Sequence, residues 1–261
     1  MIRRILERLS RNTAIRRRLP KRFGGRSLYL SGDSALSYLL PCWSTVSESL
    51  LTAAAKYTRD AGSIWDIGAN CGVFTFAAAH FAARNASIVA VEADPFLASL
   101  LQRSAMLPAN EDLDVNVLCT AVSDRQDIAR FLVASRGRSS SSLETAGYRT
   151  QAAGTRYSQH VPTTTLDRLL AHFPKPDVVK IDVEGAERLV LDGAHDVLTA
   201  VRPRFYIEVG GAQNADVTSV FRKHEYRLYD GNSDDGVARN ACGFNTLAVP
   251  AESQWTNATY A

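Results

Sequence analysis

The chain has 261 residues, 46% of them hydrophobic and 22% charged, a length that suits one large globular domain with an ample core. No window approaches the roughly eighteen consecutive apolar residues that cross a bilayer, and the N-terminus lacks the apolar centre of a signal peptide. The net charge of +3 is unevenly placed: residues 1–26 hold ten Lys/Arg and one acid, a net +9, which leaves the body with 20 basic and 26 acidic residues, a net −6. A mildly acidic body argues against a broad nucleic-acid-binding face. Cys42, Cys71, Cys119 and Cys242 lie far apart with no CxxC pair. That argues against a disulfide framework or a zinc site and points to a reducing, cytoplasmic setting.

In chain order, Ile2, Ile5, Leu6 and Leu9 fall at helical spacing, so the basic leader over 1–26 is expected to begin with a short amphipathic helix at 2–10. The plain reading is a solvated helix whose thin apolar stripe packs on the body. The sharper one is a weak contact with an anionic membrane surface. Residues 27–60 read as an N-terminal cap with a strand at 28–30, a turn at 31–33 and a helix at 46–57. From residue 61 onward the pattern is that of a single α/β domain. Short apolar runs at 63–67, 87–92, 115–119, 177–183, 204–209, 225–229 and 243–249 predict strands. Helical patterns at about 73–83, 95–106, 186–199 and 214–223 lie between most of them. Such alternation, with nearly continuous apolar strands, predicts a mostly parallel sheet covered by helices on both faces, a Rossmann-like arrangement. The exception is 124–165, where one strand-like run at 129–134 precedes a polar, small-residue tract expected to be a mobile loop or loose hairpin.

Ligands of open parallel sheets bind beyond the carboxyl ends of the strands. The first four confident strands end at or near Asp66, Glu92, Asp124 and Asp182. Carboxylates gathered at one edge repel one another unless a ligand or cation offsets them. The turn "DIGANCG" at 66–72 places Gly68 and Gly72 where backbone approaches a ligand closely, ahead of a helix whose first amides point at it. A dinucleotide loop would read GxGxxG, whereas Asn70 and Val73 stand where it wants glycine, and no GKS or GKT of a phosphate loop is present. Glu92 closes the second strand 20 residues after Gly72, the right place to accept both hydroxyls of a ribose. Asp94 and Pro95 then form a natural helix N-cap and first turn. Ser123 and Asp124 are candidates for the edge of an adenine, or simply turn residues capping backbone amides. In "DVVKIDVEGAE" at 177–187, period-two alternation puts Lys180 and Asp182 on one strand face. A lysine in a central strand needs a partner, with Asp182, Asp66 and Glu208 the obvious choices. Lys180 is thus foremost a structural counter-charge, with a catalytic role as the alternative.

Taken together, "WDIGANCGVFTFAAA", "VEADP", "AVSD", "VPTTTLDRLL" and "DVVKIDVEGAERLVLDGA" followed by "RPRFYIEV" resemble the FkbM-type family of S-adenosylmethionine-dependent methyltransferases, from about residue 45 to 249. The resemblance implies a class I methyltransferase fold. By analogy Gly68, Asn70 and Gly72 pass along the methionine moiety of the cofactor, Glu92 holds the ribose and Ser123-Asp124 flank the adenine, with the acidic strand ends Asp66 and Asp182 beside them. It also implies transfer to a hydroxyl of a sugar, glycolipid or polyketide-type small molecule. The leader at 1–26 and the tract at 135–160 fall outside the shared pattern.

The cofactor's sulfonium is already activated, so transfer needs in-line alignment, and an alcohol acceptor needs a general base. Asp182 is the first choice, Glu208 and Glu184 are substitutes, and His160 and His195 rank below them. A metal-assisted variant would draw on Asp182 and Glu208, although no ligand spacing calls for an ion. The competing readings are a nucleic-acid methyltransferase using the basic leader, an NAD-dependent dehydrogenase, and a degenerate cofactor-binding module. Acceptor selectivity is expected in residues 27–60 and 135–160.

Overall fold

The structure, a computed structural model, describes residues 9–40, 43, 45–146 and 154–253. All but the last two residues of the expected leader helix lie outside that range. Of those two, Leu9 is helical and Ser10 begins a turn, after which the leader becomes extended. Strand β1 (Ile15–Arg18) pairs antiparallel with β2 (Ser27–Leu30), turning through Gly24 at a φ of 92°. Alternation along β1 leaves Arg16 and Arg18 exposed while Ile15 and Arg17 are half-buried. The ribbon docks on the following domain through apolar Leu28 and Leu30 and through the Tyr29 amide, which donates to Ser104 Oγ at 2.8 Å.

The main sheet has eight strands in the order β13-β12-β14-β11-β10-β3-β4-β5. Its parallel half comprises β3 (Ser63–Ile67), β4 (Ser87–Glu92), β5 (Asp114–Cys119), β10 (Val178–Ile181) and β11 (Arg204–Glu208). Strands β12 (Tyr226–Asp230), β13 (Ala238–Arg239) and β14 (Asn245–Pro250) complete it antiparallel. Strand order reverses between β3 and β10, and this switch point is where such sheets open a ligand crevice. The strands read as continuous apolar runs because both faces are buried. Trp65, Ile67, Val89, Val91, Val179 and Ile181 fill one face beneath the short α4 (Leu166–Leu169), α5 (Glu187–Asp192) and α6 (Asn214–Lys223). Ile64, Ile88, Ala90 and Val178 fill the other beneath α1 (Thr45–Tyr57), α2 (Val73–Phe81) and α3 (Pro95–Ala105). No helix among the described residues is long and apolar enough to cross a membrane.

Two expectations are refined. Of the mobile loop or loose hairpin expected after residue 134, the structure has a hairpin where it is described. Strand β7 (Asp127–Ala134) pairs antiparallel with a ten-residue β9 (Thr155–Thr164), flanked by β6 (Ala121–Val122) and β8 (Ser142–Leu143) in a second, four-stranded sheet. Its strands look polar because only one side, with Phe131, Val133 and Val161, meets a core. The helix expected at 186–199 is interrupted. It stops at Gly193, where an added Cβ would sit 2.3 Å from the Ser123 carbonyl, and resumes as a π-helical turn at Val197–Val201.

Candidate active site

The carboxyl ends of β4, β3, β10 and β11 border one cavity of about 460 Å³, within the range of small-molecule sites. Glu92 and Glu208 close strands three positions apart, so the crevice spans about 14 Å at the usual strand spacing.

At one end, the turn after β3 is built from left-handed residues, with φ of 77° at Gly68, 53° at Asn70 and 87° at Gly72. This bend brings the Asn70 amide to Glu92 Oε2 at 2.8 Å, while the Asp94 amide donates to Glu92 Oε1 at 2.7 Å. Each carboxylate oxygen thus spends one acceptor position on the backbone and retains another. Burial, against these bonds, pushes the Glu92 carboxyl up to about 7. The Asn70 side-chain carbonyl accepts from the Cys71 amide and from Ser34 Oγ, both at 2.7 Å, which ties the turn to the N-terminal cap. Gly68 and Gly72 have different duties. A Cβ on Gly68 would meet the Asp182 carbonyl at 1.9 Å, so glycine lets the ends of β3 and β10 touch. A Cβ on Gly72 would meet Leu101 and Phe76 at 2.5 and 2.8 Å. Gly72 is therefore a packing position below the cavity and does not line it.

At the switch point, Lys180 is 2% exposed and faces Asp66 across the β10–β3 register. Its Nζ donates to the Gly68 carbonyl at 2.7 Å and lies 3.1 Å from Asp66 Oδ1 and 3.7 Å from Asp182 Oδ2. Burial would depress this ammonium, but the adjacent Asp66 and Asp182 carboxylates outweigh it and hold its pKa above the ordinary lysine value. Asp66 is fully buried, accepts from Thr75 Oγ1 at 2.6 Å and lies beneath the cavity without lining it. The sequence offered Asp66 both as a cofactor-side acid and as a partner for Lys180, and the structure places it as that partner, outside the lining of the cavity.

At the other end, Asp182, Glu184 and Glu208 each offer a carboxylate oxygen within 4.8 Å of the others. The juxtaposition depends on the turn after β10, where Glu184 and Gly185 adopt φ of 54° and 101°. Glu187 Oε1 braces the turn by accepting from the Gly185 amide at 2.8 Å. Asp182 keeps a 30% exposed side chain and so reaches the cavity.

The second sheet and the N-terminal cap roof the crevice. Arg138, in a single turn at Arg138–Ser140, is 4% exposed and joins three segments. It donates to Asp33 Oδ2 at 2.8 Å, to both Asp94 oxygens at 2.7 and 3.0 Å, and to Asn12 Oδ1 at 3.1 Å. Arg156 makes two further bonds to Asp33 at 2.5 and 3.1 Å. Burial acts to raise the Asp33 pKa, and the two guanidinium groups reverse this and hold it below the ordinary carboxylate value. Sequence reading did not single out Arg138, since one arginine in a serine-rich tract carries no periodic signal. It did place selectivity in 27–60 and 135–160, and Tyr38 and Leu50 from the first and Arg138 to Ser141 from the second line the cavity.

Of the remaining candidates, Ser123 and Asp124 lie beside the cavity, which at this edge is lined by Thr120, Ala121 and Val122. The Ser123 hydroxyl donates to Asp124 Oδ1 at 3.0 Å, and Asp124 Oδ2 pairs with Arg125 at 3.2 Å. His160 and His195 do not line the cavity. His160 sits on β9 opposite Arg130, and the His195 ring lies 6.4 Å from that of His224.

Residues 66–228 match the model of the methyltransferase FkbM domain. No curated protein matches the chain. Among solved structures, an FkbM methyltransferase from Methylobacillus flagellatus aligns at 13% identity and a TM-score of 0.48, covering 73% of this chain and 44% of that one, so the chain spans less than half of that protein. TYW2 of M. jannaschii in complex with AdoMet aligns at 12% identity and a TM-score of 0.48, covering 90% and 84%. A precorrin-6Y C5,15-methyltransferase from Geobacter metallireducens aligns at 14% identity and a TM-score of 0.46, covering 81% and 90%. The family match spans the glycine turn, Glu92, Lys180, Asp182 and Glu208, all the residues that shape the crevice from the main sheet, and the chain belongs to the FkbM methyltransferase family.

Proposed function

We propose that the chain transfers a methyl group from S-adenosylmethionine to a hydroxyl oxygen of a small molecule or glycan, with Asp182 as general base. The observation that carries this reading is a crevice with a bidentate acceptor, Glu92, at one end and the carboxylates of Asp182, Glu184 and Glu208 at the other. The donor set fits this cofactor. Glu92 retains acceptor capacity on both oxygens for a vicinal diol. Among the described residues, the basic side chains lining the cavity, Lys180 and Arg138, are committed to carboxylates, which suits a sulfonium better than a diphosphate. When bound, S-adenosylmethionine supplies the activated methyl group.

The protein supplies alignment and a proton acceptor. The backbone contact at Gly68 and Asp182 fixes the width of the crevice, and Lys180 locks it by holding the Gly68 carbonyl. Asp182 is the carboxylate nearest the switch point that still reaches the cavity, so it takes the proton from the acceptor hydroxyl as the oxygen is alkylated. Glu208 and Glu184 are close enough to accept hydrogen bonds from a neighbouring hydroxyl on the same acceptor.

Isothermal titration with S-adenosylmethionine tests the cofactor, and Asp182→Asn tests the base. The variant is expected to bind cofactor within a few-fold of wild type while losing about 10²-fold or more in turnover. Unchanged turnover would refute the assignment. Turnover that disappears on chelation would move the role of the carboxylate trio from proton transfer to holding a divalent cation.

A further inference from the structure

The N-terminal ribbon carries more charge than its packing uses. Alternation along β1 turns Arg16 and Arg18 outward, and Arg11 before the strand and Lys21 after it are exposed as well. Arg22 pairs with Glu48 and Arg26 with Asp112, each at 2.6 Å, but among the described residues Arg11, Arg16, Arg18 and Lys21 form no ion pair. Over residues 1–26 the balance is +9, against −6 for the rest of the chain. Charge of one sign gathered in so short a stretch repels itself, so folding alone does not account for it.

Beside these cations stand exposed leucines: Leu9, Leu39 and Leu40 are 71%, 40% and 56% exposed. Two contacts fix them to the basic strand. Leu39 and Ser10 pack on Gly32 together, where an added Cβ would meet them at 2.7 and 2.8 Å. The Arg17 guanidinium, on the half-buried face of β1, donates to the Tyr38 carbonyl at 2.9 Å and lies over the Trp43 ring, 4.7 Å from its centroid. The strand with the unpaired arginines and the segment with the leucines thus form one surface. That surface borders the crevice, because Ser37 and Tyr38 line the cavity while the next two residues face solvent.

We propose that this surface docks on an anionic membrane, with the unpaired basic side chains at the phosphate layer and Leu9, Leu39 and Leu40 entering between the headgroups. Interfacial binding grows with the apolar area inserted and with attraction to anionic lipid, and both sources stand side by side here. The residues just ahead of Leu9 extend both: Arg3, Arg4 and Arg8 add charge, and Ile2, Ile5 and Leu6 share a helical spacing with it. A nucleic acid would use the charge and leave the leucines idle, since unpaired bases stack on aromatic rings and the exposed large hydrophobic side chains of this surface are aliphatic. Docking in this way holds the Ser37 and Tyr38 wall of the crevice next to the headgroups.

The test is co-sedimentation of the full chain with sucrose-loaded vesicles at physiological salt, either phosphatidylcholine alone or phosphatidylcholine mixed with phosphatidylglycerol. The anionic vesicles are expected to bind the chain at least about tenfold more tightly than the neutral ones. Arg16→Ser combined with Arg18→Ser is expected to weaken that binding at least about tenfold, from about fivefold for each basic residue at the surface. Leu9→Ser combined with Leu40→Ser is expected to weaken it about fivefold or more. All four positions are exposed, so both variants are expected to unfold in urea at the wild-type midpoint. Polyuridylate, titrated separately, stands for the alternative partner. No binding to either vesicle, equal binding to both, or wild-type binding by either double variant would overturn the proposal. Polyuridylate held more tightly than the anionic vesicles would overturn it too and assign the surface to nucleic acid.

Discussion

Replacing Glu92 with glutamine is expected to weaken S-adenosylmethionine binding strongly at pH 8 and much less at pH 6. The reason lies in the burial of the carboxyl. With a pKa of about 7, Glu92 is ionised in about nine-tenths of molecules at pH 8 and in about one-tenth at pH 6. The ionised form already accepts the Asn70 and Asp94 amides, and a ribose would add two hydroxyl donors. Hydrogen bonds to a charged acceptor contribute about 1.5–3 kcal/mol each. Glutamine keeps one carbonyl oxygen and brings an NH₂ that opposes one of the backbone donors, so the loss is on the order of 2–3 kcal/mol at pH 8. That corresponds to about a 30- to 150-fold rise in Kd. Lowering the pH to 6 is expected to cost wild type about tenfold in affinity, because a proton must first leave Glu92, and to leave Glu92→Gln nearly flat. Titrations of both proteins at the two pH values, in buffers of different ionisation enthalpy, separate this proton from the cofactor's own amino group, which titrates in both. The same linkage has a stability counterpart in the cofactor-free protein. Between about pH 4.5 and 7 the folded state holds a proton that the unfolded chain has released, so stability falls as pH rises through this window and levels off above it. Parallel pH profiles for wild type and variant, in affinity and in urea unfolding, would refute the reasoning.

Lys180→Met leaves the fully buried Asp66 with Thr75 as its remaining side-chain partner. Urea unfolding is expected to show a loss of about 3–5 kcal/mol, part of it recovered by adding Asp66→Asn. Gly68→Ala drives a Cβ to 1.9 Å from the Asp182 carbonyl at a φ of 77°. It is expected to lose at least ~3 kcal/mol, with cofactor binding abolished in whatever fraction still folds. Arg138→Leu uncovers Asp33 and Asp94 beneath the roof of the crevice. It is expected to speed proteolysis around residues 135–146 and weaken cofactor binding, and Arg138→Lys should not rescue it, because a single ammonium cannot bridge both carboxylates as the guanidinium does.

Much of the sheet was legible from the sequence because its strands are buried on both faces. Apolar runs at 63–67, 87–92 and 204–209 had no other reading, and β3, β4 and β11 coincide with them closely. The second sheet was hidden for the opposite reason. Strand β9 is mostly exposed or half-buried, and a strand without a hydrophobic face resembles a loop until its partner is known. The break at Gly193 was invisible too, because it accommodates the close approach of the Ser123 carbonyl from a distant segment.

By itself, the sequence determined the parallel α/β order, the glycine-containing turn at 66–72, the carboxylates at the strand ends and the need to pair Lys180, since these follow from local periodicity, backbone freedom and the cost of burying a charge. Only the tertiary structure decided which acid serves which purpose. Asp66, Asp182 and Glu92 look equivalent along the chain, yet one is sealed under the crevice, one reaches into it, and one is gripped by two backbone amides. The roof was likewise decided by packing: Arg138 acquires its role only when Asp33 and Asp94, distant in sequence, converge on its guanidinium. Depth beneath a surface and the meeting of distant segments depend on how the whole chain packs, and no local stretch of sequence contains them.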